Sequence, residues 1–151
     1  MNQEKDFYQV SLKAIIKNDQ DEILLLAENS NSNSAGFYDL PGGRIAVDEF
    51  TTSFIDILKR EITEEIGNVK IDFSPQPVAV GRHFIPAAIS KTGFDIHVLY
   101  LFFEAKFVGG KVVISDEHTG FKWVDFSKEE PNKFLKSGNL EGIEMYFSEK
   151  F

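Results

Sequence analysis

Apolar and polar residues alternate from Phe7 to Lys17, with Tyr8, Val10, Leu12 and Ala14 in phase, and this period of two predicts a strand. Asn18-Asp19-Gln20-Asp21 is a turn signal. The run Glu22 to Ala27, with Ile23, Leu24, Leu25 and Leu26, predicts a buried partner strand that completes a hairpin. A tract of Asn and Ser from Asn29 to Ser34 reads as a loop. The segment Phe37 to Gly43 ends in Pro41-Gly42-Gly43, a sharp turn in which glycine permits positive φ and close backbone approach. The period then lengthens. Ile55, Leu58, Ile62 and Ile66 share one face of a helix expected from about Thr51 to Ile66. Thr51, Thr52 and Ser53 offer capping hydroxyls, Asp56 lies in capping-box register with Ser53, and Gly67-Asn68 is a stop. In the second half, Val78 to Ile85 and Phe94 to Phe107 predict strands on either side of a loop, Pro86 to Gly93. Val108 to Lys111 reads as a turn, Val112-Val113-Ile114 and Trp123-Val124 as short strands, and Ser127 to Glu130 as a helical turn. Leu140, Ile143 and Phe147 predict a closing amphipathic helix from Leu140 to Phe151.

The chain has 151 residues, and its length and lack of linkers predict one domain, 1–151. A hydrophobic content of 42% with 15 Phe supports a real core and excludes disorder. With no cysteine, disulfides and thiolate metal sites are excluded. Met1 to Asp6 lacks the basic start and apolar run of a signal peptide, and no apolar stretch is long enough to span a membrane, so a cytoplasmic location without membrane contact is expected. The formal net charge of −8 argues against binding a nucleic-acid backbone, which needs clustered Lys and Arg. It leaves room for a small anionic substrate met by a metal ion.

The densest chemistry is Arg60-Glu61-Ile62-Thr63-Glu64-Glu65-Ile66-Gly67. On a helix Glu61, Glu64 and Glu65 fall along one edge beside the apolar face. They repel one another, and near a helix C-terminus they oppose the macrodipole. An acidic helix run is usually a solvated face. Here three neighbours favour a divalent cation instead: the Gly42-Gly43 turn, Arg60 one turn before Glu64, and a second acidic pair, Asp116-Glu117. Carboxylate oxygens are the ligands Mg²⁺ and Mn²⁺ prefer.

These residues resemble the Nudix box, whose form is Gly, five residues, Glu, seven residues, then Arg-Glu-apolar-x-Glu-Glu-x-Gly-apolar. The core from Arg60 to Gly67 is complete. Tyr38-Asp39-Leu40-Pro41-Gly42-Gly43 resembles the family's aromatic-x-x-Pro-Gly-Gly entry, and Ser115-Asp116-Glu117-His118 followed by Trp123-Val124 resembles its second acidic loop. Two departures stand out. Glu49 keeps its distance from Gly43, but Glu49 to Arg60 is three residues longer than usual, which reads as an insertion before the helix and leaves the role of Glu49 open. Asn68 replaces the final apolar residue.

The resemblance implies an α+β fold, a Nudix-like α/β/α sandwich with a mixed β-sheet between helices. It implies metal-dependent hydrolysis of a diphosphate bond in a nucleoside diphosphate linked to another moiety, by attack of water on phosphorus. Expected metal ligands for Mg²⁺ (or Mn²⁺) are Glu61, Glu64, Glu65, the carbonyl of Gly42, and Glu117, the last also a candidate base; Arg60 is expected to orient a helix carboxylate. Arg44, Tyr38, Arg82 and His118 are the candidates for contact with a small nucleotide-type substrate. His83 and His97 read as packed or surface residues, and Phe37 and Trp123 as core. The alternative is a catalytically weak, nucleotide-sensing module, favoured only by the insertion. Substrate identity and oligomeric state are left open by the sequence.

Overall fold

The computed structural model describes residues 2–29 and 36–148; most of the Asn/Ser tract and the last residues of the expected closing helix lie outside them. Its strands are β1 (Tyr8–Lys17), β2 (Ile23–Glu28), β3 (Tyr38–Asp39), β4 (Gly42–Arg44), β5 (Lys70–Ile85), β6 (Ile96–Gly109) and β7 (His118–Val124). Two helices, α1 (Phe54–Ile66) and α2 (Ser137–Ser148), cover its faces. The strands form one seven-stranded sheet with the path β3-β2-β1-β6-β5; β4 pairs with β1 and β7 with β2. The sheet is mixed, since β1 runs parallel to β6 while its pairings with β2 and β4 are antiparallel. This is the expected α/β/α sandwich.

Alternation along β1 divides the interior. Leu12, Ala14 and Ile16 join Leu24, Leu26 and Phe103 against Ile57, Leu58, Ile62 and Ile66 of α1. Ile15, on the opposite face, joins Leu25, Tyr100 and Phe102 against Ile143 and Tyr146 of α2. Alternation of this kind ordinarily leaves the intervening polar residues solvated, and β1 differs. Ser11 and Lys13 are buried, because a strand with neighbours on both sides and a helix over each face has no solvated side.

Several element boundaries also move, and β7 starts at His118, five residues ahead of the expected Trp123. Helix α1 starts at Phe54, not Thr51; Ser53 is its cap, with Oγ accepting from the Asp56 N–H at 3.1 Å. Strand β5 begins at Lys70, ahead of the expected Val78. Its first half contains Pro75 and Pro77; β5 is at the edge of the sheet and breaks register around Pro77, where proline is tolerated. Helix α2 begins three residues early, at Ser137. The expected strand Val112–Ile114 is absent. Its N–H groups go to the end of α1 instead: Val113 donates to the Ile66 carbonyl and Ser115 to the Glu65 carbonyl, both at 2.9 Å. Carbonyls of a helix's last turn have no partner within the helix, so this segment satisfies them. The turn at Ser127 is held by the Asp125 carboxylate, which accepts from the Ser127 N–H and Oγ–H, and a short 3-10 turn, Pro131–Lys133, follows. No helix among the described residues is long and apolar enough to cross a membrane.

Candidate active site

The C-terminal half of α1 faces the Gly42-Gly43 strand. Glu65 is only 6% exposed, and its Oε1 accepts the Gly42 N–H at 2.6 Å. Burial pushes its carboxyl up to about 8; the Gly42 N–H and Lys13 pull the other way without restoring the usual value. Glycine at 42 is required by space as well as by conformation. Its φ is +148°, and a Cβ there would run into the carbonyl oxygen of Leu12 on β1. A Cβ on Gly43 would overlap the carboxylate of Glu61. The glycine pair is therefore a cradle in which two helix carboxylates come against strand backbone. Burial raises the Glu61 carboxyl, with Arg60 opposing the rise.

Arg60 holds three carboxylates. Its Nη2 lies 2.7 Å from Glu49 Oε2 and 3.1 Å from Glu61 Oε1, and its Nη1 lies 3.1 Å from Glu64 Oε1. Hydrogen bonds to Glu49 and Glu64 hold the guanidinium above its already high range. Glu49 is locked at its other oxygen, Oε1, by the Ala46 N–H at 2.9 Å, and that bond together with Arg60 keeps its carboxyl below the usual range. The longer loop before α1 thus leaves Glu49 in contact with the helix. Glu64 is 58% exposed and touches only Arg60 among these groups.

The loop after β6 reaches the same place because Ser115 is tied to the end of α1. The His118 N–H bonds back to the Ser115 carbonyl at 3.3 Å. The turn sets Glu117, His118 and Glu65 together, with one ligand atom from each all within 4.8 Å of one another. Glu117 is exposed and His118 buried. Burial lowers the His118 imidazole, against the pull of Asp39 and Glu117.

Beside this cluster lies a cavity of about 770 Å³ on the α2 side of the sheet. Phe37, Tyr38, Tyr100 and His83 give it aromatic walls, Arg44 stands at Gly43, and Lys136 and Asn139 come from the α2 end. Its floor carries a buried ion pair. Lys13 Nζ lies 2.9 Å from Asp39 Oδ1 and 3.3 Å from the Leu40 carbonyl; the same Asp39 oxygen accepts the Leu40 N–H at 2.8 Å and the Asn139 side-chain N–H at 2.9 Å. Burial alone would lower the Lys13 ammonium, but Asp39, Tyr100 and Glu65 more than offset it and hold it above its usual range. The pair thus braces the Asp39-Leu40-Pro41 segment leading into the Gly42 N–H that Glu65 uses.

A model of the NUDIX domain matches residues 7–143. The chain belongs to the NUDIX domain family. Among solved structures, a MutT protein from Methanosarcina mazei Go1 is 26% identical, with 95% of this chain and 96% of that chain covered and a TM-score of 0.72. An ADP-ribose pyrophosphatase from Streptococcus suis 89-1591 (22% identity, 96% and 94% covered, TM-score 0.64) and the NUDIX domain of Shewanella oneidensis NrtR bound to ADP ribose (16%, 97% and 91%, TM-score 0.65) share the fold.

In Nudix terms, one helix carboxylate, Glu65, and the second acidic loop meet at one end of α1. Tyr38 and Arg44 line the cavity, whereas Arg82 does not. Successive strand residues point to opposite faces, so it is His83, the neighbour of Arg82, that enters and stacks on Tyr100 with ring centroids 5.9 Å apart. Burial, then Lys13, lowers the His83 imidazole. His118, expected near substrate, stands with Glu65 and Glu117 and does not line the cavity. Gly42 meets Glu65 through its N–H. Sequence reasoning missed Lys13, Asp39 and Asn139. The one available signal was a lysine inside the otherwise apolar Leu12 to Ile16 run.

Proposed function

We propose that this Nudix-type diphosphate hydrolase cleaves a nucleoside diphosphate linked to another moiety, with Mg²⁺ or Mn²⁺ held by Glu65, Glu117 and Glu61. The observation that carries this reading is the meeting of Glu65 and Glu117, 52 positions apart in sequence, beside an aromatic-walled cavity. The donor set fits such an ion. Its oxygens are carboxylates, and Gly43 leaves room for that of Glu61 only because it has no Cβ. A divalent ion offsets the charge of a diphosphate and makes water a better nucleophile.

The protein's own residues do the rest. Gly42 fixes the rotamer of Glu65 through its N–H. Arg60 orients Glu61 and Glu64, and Glu49 in turn orients Arg60. Lys13 and Asp39 hold the turn that presents Gly42. Tyr38, Phe37 and Tyr100 offer faces on which a base or sugar stacks, and Arg44, whose Nη1 donates to Gln9 Oε1 at 2.8 Å, lines the same cavity as the candidate for a phosphate. The sensing-module alternative rested on the insertion before α1. Contact of Glu49 with Arg60 across that insertion supports the enzyme. A panel of nucleoside diphosphate derivatives, followed by phosphate release with Mg²⁺ or Mn²⁺, tests the proposal. Turnover of at least one member is expected, and tight nucleotide binding without turnover would favour the sensing module.

A further inference from the structure

His118 has a position that neither packing nor substrate contact accounts for. It is 8% exposed, and Nδ1 has no hydrogen-bond partner among the described residues. Its Nε2 stands 3.9 Å from Glu65 Oε2, beyond hydrogen-bond reach. A buried imidazole kept for structure normally bonds through at least one nitrogen, because an unsatisfied polar group in the interior is costly. The other two histidines show the contrast. His97 Nδ1 lies 2.6 Å from Asp6 Oδ2, and His83 stacks on Tyr100 in the cavity.

The backbone holds the ring in this place from both sides. His118 opens β7, opposite Glu28 of β2, and its N–H closes the turn back to Ser115, which is itself tied to the Glu65 carbonyl. The side chain is thus delivered to the carboxylates by rigid elements, as a ligand must be.

We infer that His118 is a nitrogen ligand of the divalent ion, in one set with Glu65 and Glu117, and that it tilts the site toward Mn²⁺ over Mg²⁺. The inference rests on the proposed metal-dependent function. Mg²⁺ is a hard cation that favours oxygen, whereas imidazole suits first-row transition ions. Replacing one oxygen of the set by an imidazole nitrogen therefore raises affinity for Mn²⁺ relative to Mg²⁺. The neutral imidazole also adds a ligand without adding charge, where Glu61, Glu64 and Glu65 already repel one another.

The test uses the full chain with Mn²⁺ alone. Electron spin-echo spectroscopy reports nitrogen bound to Mn²⁺ directly, and labelling the histidines with ¹⁵N assigns it without any substitution. The expected result is a ¹⁴N modulation that becomes ¹⁵N on labelling. In His118→Gln the signal is lost, and the ratio of Mn²⁺ to Mg²⁺ affinity by calorimetry falls about tenfold or more. Bound Mn²⁺ with no histidine nitrogen coupling overturns the inference and leaves the proposed function standing. Should the wild-type chain bind no Mn²⁺, the inference falls; should it bind neither Mn²⁺ nor Mg²⁺, the proposed function falls with it. If His118→Gln does not fold, the labelled wild-type spectrum still decides.

Discussion

Glu65 combines two demands that conflict in the metal-free protein. It is buried against Gly42, and burial pushes its carboxyl up to about 8. At pH 7 the metal-free group therefore binds a proton that a divalent ion must displace, and the sign follows: raising pH through 8 removes the competing proton and strengthens metal binding. Calorimetric titration of Mg²⁺ or Mn²⁺ in two buffers of different ionisation enthalpy is expected to show proton release at pH 7 that fades above pH 9. Lys13 gives a second test at this scale. Lys13→Met leaves Asp39 without its buried cation and is expected to cost about 3–5 kcal/mol in denaturant unfolding. The double change Lys13→Met with Asp39→Asn should recover most of that loss. These two residues also mark where sequence reading ends. Glu61, Glu64 and Glu65 stood out in the sequence because three carboxylates share one helix edge, and Glu117 through the resemblance to the family's second acidic loop. Lys13 did not, since a polar position on a period-two strand is ordinarily solvated and only the packing of β1 between two helices reverses that; Asp39 did not, since nothing in the Tyr38–Gly43 segment signals that its partner is Lys13 on β1.

At the scale of elements, the β4 glycines separate fold from function. Alanine at 42 would force a Cβ into the Leu12 carbonyl at a φ of +148°, where neither the backbone nor the neighbour can give. Gly42→Ala should lower the melting temperature markedly. Alanine at 43 meets instead the far end of the Glu61 side chain, which can swing away. Gly43→Ala should therefore keep near wild-type stability and lose turnover tenfold or more; matched thermal melts and activity assays on the pair check this. The Val112–Ile114 segment shows the limit of element prediction. Its β-branched residues were read as a strand, but their partners are the last carbonyls of α1, which periodicity cannot reveal. That misreading concealed how Glu117 and His118 are carried to Glu65. The prolines of β5 concealed half a strand in the same way, because edge position is a property of the sheet and not of the segment.

Across the whole molecule, charge and topology serve one arrangement. Of the net −8, the stretch from Asp48 to Glu65 holds six acids against two bases, −4 in all. That charge sits on α1 and the loop before it, whereas the cavity is lined by Lys13, Arg44, Lys91 and Lys136 against Glu28 and Asp39, so a diphosphate is repelled at the helix carboxylates and not by the cavity, unless a cation intervenes. The sandwich was legible through the Nudix resemblance; periodicity by itself gave several strands with one helix in the middle and one at the end, without the topology. The cavity was not, since its walls come from β1, β3, β5, β6 and the start of α2, which only the tertiary fold assembles. The account stands on Glu65 as an ion-holding carboxylate, and the direct measurement compares the wild-type chain with Glu65→Gln, matched in shape, in phosphate release from the best substrate of the panel across a Mg²⁺ and Mn²⁺ titration. Turnover that requires the ion and falls at least a hundredfold in Glu65→Gln is expected; turnover without a divalent ion, or at the wild-type rate in Glu65→Gln, would contradict it.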